Sequence, residues 1–203
     1  MKAESAGASR ARDKAQDFCP AQVDLSAFSN QGFDRGASRL KEALWVVVRT
    51  ILFERMPFRM YGLKRWMLRR FGAKVGKGVV IKPGVRITFP WKLSLGDNVW
   101  LGEECWLLNL APITIEANVC ISQRAMLCTG SHDYKSTRFD LIVKPIHVEG
   151  GSWVAAAAWV GPGVRIRSHA VVCAGSVATV DLEAYGIYQG IPAKKIRLRR
   201  IER

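Results

Sequence analysis

Only three imidazoles occur in this 203-residue chain, at His132, His147 and His169, and their surroundings differ. His132 lies in TGSHDY, between Ser131 and Asp133. An imidazole titrates near neutrality, so it takes a proton from an alcohol when a carboxylate or carbonyl fixes its tautomer. General-base chemistry on a hydroxyl is what these residue types offer at His132. His147, in KPIHVEG, and His169, in RIRSHAVV, have no distinctive polar company and read as structural or solvated. No two histidines are close enough in sequence to form a local pair, and no Cys/His cluster makes up the lack, so no metal site is expected. The five cysteines show no CxxC spacing. Cys120 and Cys128 lie near His132, but nothing in the sequence activates either thiol, and both read as small packed residues. Gly76, Gly96, Gly102 and Gly161 do not form a phosphate loop. Their spacing puts them at tight corners, where a positive φ would be useful.

The elements that must position His132 repeat every six residues. Aliphatic residues recur at Val75, Ile81 and Ile87, at Leu95, Leu101 and Leu107, and at Ile115, Ile121 and Leu127. They resume at Val148, Val154 and Val160 and continue through Ile166, Val172 and Ala178. Neither a helix nor an alternating strand has that period, whereas a β-solenoid of hexapeptide repeats does. Three repeats make one triangular coil, which gives five coils starting at Val75, Leu95, Ile115, Val148 and Ile166. The spacing lengthens after the repeats of Ile87, Leu107 and Leu127, each the third of its coil, so all three insertions leave one corner. Coils stack at about the inter-strand distance of 4.8 Å. Asn109 and Thr129 should therefore stack, with His132 one coil from Asn109. The last and longest insertion is read as an arm over 133–147, too polar and basic to be a strand on its own and able to reach a neighbouring subunit.

The rest of the chain divides around this solenoid at 74–190. Residues 1–25 read as a disordered tail and 26–73 as a loop and helical cap, in which Ser38 is an N-cap and Pro57 interrupts the helix. The cap would cover the open end of the solenoid. Its apolar faces, set among arginines, also suit a peripheral membrane contact through 40–71. Residues 191–203 form a basic C-terminal segment. The net charge of +14 suggests an anionic partner. Nucleic acid is not expected, because a reading helix, a zinc finger and interleaved stacking aromatics are all lacking. Residues 1–30 lack an apolar signal core and no apolar run reaches the ~18 residues of a membrane span, so a cytoplasmic location with reduced thiols is expected, with the inner membrane face open as a peripheral site.

With FGAKVGKGVVIKPGVRITFPWKLSLGDNVWLG, LCTGSHDYKS and GIPAKKI in place, the chain resembles the hexapeptide-repeat acyltransferases, and among them the acetyltransferases of colanic acid and related exopolysaccharide biosynthesis. The resemblance covers about Phe28 to Ile201. It implies a left-handed parallel β-helix, a homotrimer, and transfer of acetyl from acetyl-CoA to a sugar hydroxyl, on an acceptor that is free, nucleotide-linked or lipid-linked. It puts the general base on His132, with Asn109, Asp133 and Tyr134 as supporting or acceptor-binding candidates. It lays CoA along the later coils, past Trp153, Ala155, Ala174, Ser176 and Thr179, with Lys194, Lys195 and Arg197 toward the phosphates. Val180 stands where many sugar acetyltransferases carry a lysine, and Trp106 replaces a smaller or polar residue on the acceptor side. Two further readings stay open at this level: a non-catalytic trimeric scaffold, and an acyltransferase whose acceptor is not a sugar, such as an antibiotic or amino acid.

Overall fold

A computed structural model describes residues 21–57 and 59–202. The tail expected over 1–25 lies mostly outside them. The described chain forms two compact units, one of residues 21–32 with His132–Asp140, the other of Phe33–Ser131 with Leu141–Arg203.

The larger unit is a parallel β-solenoid with three faces. Face A stacks the strands ending at Val75, Leu95, Ile115, Val148 and Ile166. Face B stacks those ending at Ile81, Leu101, Ile121, Val154 and Val172. Face C stacks Ile87, Leu107, Leu127, Val160 and Ala178. These are the five coils and the grouping in threes read from the sequence. The period-six residues point inward and are buried, as at Ile81, Leu101, Ile121, Val154 and Val172 on face B. The side chains one place earlier on each strand face outward.

A partial sixth coil was not legible. Leu182 bridges to Ile166 on face A, and Gly186–Gln189 pairs with Val171 and Val172 on face B. Leu182 follows Ala178 by four positions instead of six, so the period breaks there by contraction. The basic C-terminal segment turns at Gly190 and returns as a strand, Lys194–Leu198, antiparallel to Gly186–Gln189.

The corners use two kinds of backbone. One corner stacks left-handed residues at Gly78, Asn98, Asn118, Gly151, His169 and Tyr185, and another at Gly84, Glu104, Arg124, Ala157 and Gly175. The glycines singled out for positive φ are needed for a different reason. A Cβ on Gly96 would lie 2.5 Å from the Ala117 nitrogen, and one on Gly102 would lie 2.5 Å from the Gln123 nitrogen. Coil stacking leaves no room for a side chain there.

Helix α1, Arg39–Val48, starts at Ser38, whose hydroxyl accepts from the Lys41 N–H. A π-helical turn follows over Arg49–Phe53, and α2 spans Tyr61–Arg70. These elements close the open edge of the first coil. Its unpaired carbonyls would otherwise template another strand or stay unsatisfied. Arg69 donates to the Val75 and Gly76 carbonyls, Arg65 to Val79, Lys64 to Lys82, and the Trp45 indole to Ile87. Trp45 is fully buried and packs edge-on against Phe53. The cap thus supplies donors to all three faces of the first coil.

The arm differs from the expected 133–147. Leu141–Val143 forms a two-stranded ribbon with the strand that starts at Gly130. Ile146–Val148 already belongs to face A, where His147 pairs with Thr114 and Arg165. Solenoid register therefore claims the last residues of the insertion.

Candidate active site

His132 opens the second segment of the smaller unit. The chain turns back on itself between Asp133 and Asp140, where the Asp133 N–H donates to the Asp140 carbonyl and the Ser136 hydroxyl donates to the Asp140 carboxylate. The Asp133 carboxylate accepts from the Lys135 N–H, which is a local turn interaction. Phe139 takes a left-handed conformation, φ 54°. Its carbonyl lies 2.8 Å from Nδ1 of His132. A carbonyl only accepts, so Nδ1 carries a hydrogen, and in the neutral ring Nε2 is the nitrogen with the lone pair. The Phe139 ring stacks on the imidazole at 4.2 Å between centroids and 9° between planes, and Phe28 tilts against it at 5.6 Å. The segment 21–32 is tied in by the Asp24 N–H, which donates to the Thr137 carbonyl. His132 is thus a half-buried imidazole with a fixed tautomer, held between two aromatic rings.

Phe139 went unrecognised in the sequence as a site residue. It acts through a backbone carbonyl and a left-handed turn, and neither has a residue-type signature. Tyr134 is exposed.

In the larger unit Asn109 departs from the expected acceptor contact. Its side chain is fully buried. Its oxygen accepts from the Thr88 and Phe89 N–H groups, and its amide donates to the Phe89 carbonyl. At the insertion after Ile87 the Thr88 N–H still donates to the Leu107 carbonyl of the next coil and the Phe89 carbonyl accepts from the Lys92 N–H, while Asn109 supplies a partner to the Phe89 N–H. Thr129 does the same one coil later, accepting from the Ala111 N–H and donating to Leu108. Both are corner residues.

The other candidates are spread over several faces. Trp153 projects outward from face B, half exposed, and donates its indole N–H to Ser122. Ala155 is buried where face B turns to face C, and Ala174 is exposed at the same corner one coil later. Ser176 is buried, its hydroxyl accepting from the Gly190 N–H, and Thr179 is exposed past face C. Lys194, Lys195 and Arg197 are exposed on the last strand. Lys195 is ion-paired to Glu183, which holds that carboxyl below its ordinary range. Along this corner Ala155, Ala158 and Ser176 are buried, while Ala157, Ala174 and Gly175 are exposed. Ser176 is too buried to meet a ligand through its hydroxyl.

Nε2 of His147 donates to the Glu116 carboxylate at 2.7 Å, and His169 stacks flat on Tyr185, so both have structural partners. Cys128 is buried and donates to the Gly130 carbonyl. Burial lifts the Cys105 thiol to about 12, which makes it inert. Trp106 faces outward on face C under the Arg86 guanidinium. Among the described residues, no group of three or more His, Cys, Asp or Glu is placed to hold a metal ion.

No family model matches the chain. It is 44% identical over 176 residues to a putative colanic acid biosynthesis acetyltransferase of Escherichia coli, covering 87% of this chain and 97% of that protein. Among solved structures it is similar to a hexapeptide-repeat-containing acetyltransferase of Vibrio cholerae, with a TM-score of 0.71 and 26% identity over 80% of this chain and 94% of that one. A structure of such a protein complexed with acetyl coenzyme A matches with a TM-score of 0.73 and 22% identity, over 82% and 92% of the two chains, a likeness of fold.

Proposed function

The chain belongs to the colanic acid biosynthesis acetyltransferases of the hexapeptide-repeat, left-handed β-helix type, and from that premise we propose that it moves acetyl from acetyl-CoA to a sugar hydroxyl of an exopolysaccharide or related glycan. The observation that carries the reading is the Nδ1–H of His132 donating to the Phe139 carbonyl. It leaves Nε2 as a lone-pair base in a ring that cannot easily turn. Nε2 takes the proton of the acceptor hydroxyl while that oxygen attacks the thioester carbonyl. The C–O bond forms, the C–S bond breaks, and the CoA thiolate leaves and is protonated. The transfer is direct, within a ternary complex, and no acetyl group rests on the enzyme.

Holding both substrates in line supplies much of the rate, and backbone N–H groups stabilise the developing oxyanion. Asp133 and Tyr134 flank the base on the acceptor side. Trp153, Ala155, Ala174 and Thr179 contact the CoA arm, and Lys194 and Arg197 meet its phosphates. Ser176 contributes through its backbone, with its hydroxyl holding the Gly190 turn. We assign a homotrimer as the working form. The outward indoles of Trp100 and Trp153, both more than 40% exposed in the single chain, favour burial against a second copy. The cytoplasm, where acetyl-CoA is available, is the assigned location.

The test is acetyl transfer from labelled acetyl-CoA to a panel of soluble, nucleotide-linked and lipid-linked glycans. Alkali-labile label on a glycan hydroxyl is the expected product. CoA release without label on any glycan would refute the reading.

A further inference from the structure

The cap has a second face. Where it turns away from the first coil, it exposes Leu40, Leu44, Ile51, Leu52, Leu63 and Trp66, each at least 41% accessible. Most of these line one groove of about 770 Å³ between α1 and α2, bordered by Lys41 and Arg70. So large a contiguous apolar surface marks an interaction site. Its charge is one-sided. Residues 39–71 contain nine Lys and Arg but only two acids, Glu42 and Glu54. Both acids are neutralised by arginines, Arg35 and Arg49. Three of the cations, Lys64, Arg65 and Arg69, are committed to first-coil carbonyls. Arg70 remains exposed at the edge of the groove, while Arg39 and Arg55 are exposed elsewhere on the cap.

We propose that this face docks on an anionic lipid bilayer, with the leucines and Trp66 entering the headgroup boundary and the arginines on lipid phosphates. The choice of occupant follows from charge. The N-terminal residues 1–20 carry four cations, Lys2, Arg10, Arg12 and Lys14, against three acids, Glu4, Asp13 and Asp17, and few large apolar side chains, so they neither fill the groove nor bring the net negative charge that its rim would attract. A second copy meeting the same face would bring like charges together. An anionic surface complements both the apolar floor and the basic rim. The contact is peripheral, because no helix among the described residues is long and apolar enough to cross a membrane. It goes beyond the acetyl-transfer reading and does not involve His132. It would bring the enzyme to the surface that holds lipid-linked acceptors.

The experiment is flotation of the full chain with vesicles of phosphatidylcholine alone or with about one third phosphatidylglycerol. Binding to the anionic vesicles should be at least ~10-fold tighter and should weaken in high salt. Leu44→Glu with Trp66→Glu should lower it by ~10-fold or more, with an unchanged far-UV CD spectrum. Lys41→Glu with Arg70→Glu, which leaves the apolar floor intact, should abolish the preference for phosphatidylglycerol. His132→Ala should float as the parent does, which separates failure of this proposal from failure of the catalytic one. The proposal is overturned if the parent does not float with anionic vesicles, or if both paired variants float as it does. It is also overturned if Leu44→Glu with Trp66→Glu reduces the oligomer in sedimentation while vesicles go unbound, since the face would then join copies of the chain.

Discussion

At the scale of single residues, the decisive fact is which nitrogen of His132 holds the proton. The Phe139 carbonyl fixes it on Nδ1, at 2.8 Å. The ring stack adds orientation, so Phe139→Leu should lower kcat by about tenfold while KM for acetyl-CoA stays near the parent value, as expected when a base is loosened and binding is untouched. Initial rates across both substrates check this. Asn109 carries the opposite lesson. Its type and register suggest an acceptor ligand, but its three polar contacts all serve the Thr88–Phe89 corner. Asn109→Ala removes the partner of the buried Phe89 N–H and should destabilise by ~1–3 kcal/mol in urea unfolding. A loss of acceptor affinity with stability unchanged would restore the ligand role.

At the scale of elements, the cap and the coils each make a stability prediction. Lys64 is buried under the cap, donating to Lys82, with its ammonium over the Phe53 ring. Burial lowers its pKa from an ordinary 10.5 to about 8. Between those values the unfolded chain binds the proton that the folded chain has released. The unfolding free energy from this group therefore rises with pH from about 8 to 10.5 and is flat below. Lys64→Met should remove that rise, seen as the difference between variant and parent in urea midpoints across the window. In the coils, Gly96→Ala pushes a Cβ to 2.5 Å from backbone in the next coil. It should lose ~1–3 kcal/mol or more. Gly32→Ala, with nothing within 4 Å of the new Cβ, should stay within about 0.5 kcal/mol. Chemical denaturation of both variants makes the comparison.

At the scale of the whole molecule, what the sequence revealed depended on repetition. Fifteen aliphatic positions at period six specified the coils, their grouping and the corner of the insertions, because a slip of one residue would turn every core side chain outward. The sixth coil escaped because Ala178 and Leu182 are only four apart, and the strand Lys194–Leu198 because antiparallel return breaks the period. The cap's donors were hidden for another reason: Lys64, Arg65 and Arg69 look like solvated charge until the carbonyls they reach are placed. His132 stood out by its position at the break in the repeat, while the groups that orient it were silent, being backbone and packing. The proposed role of His132 Nε2 as the base for acetyl transfer is tested most directly by kcat for His132→Ala with labelled acetyl-CoA and whichever acceptor of the glycan panel the parent acetylates. A loss of ~10²–10⁴ in kcat with acetyl-CoA affinity retained is the predicted result; turnover within a few-fold of the parent would contradict it.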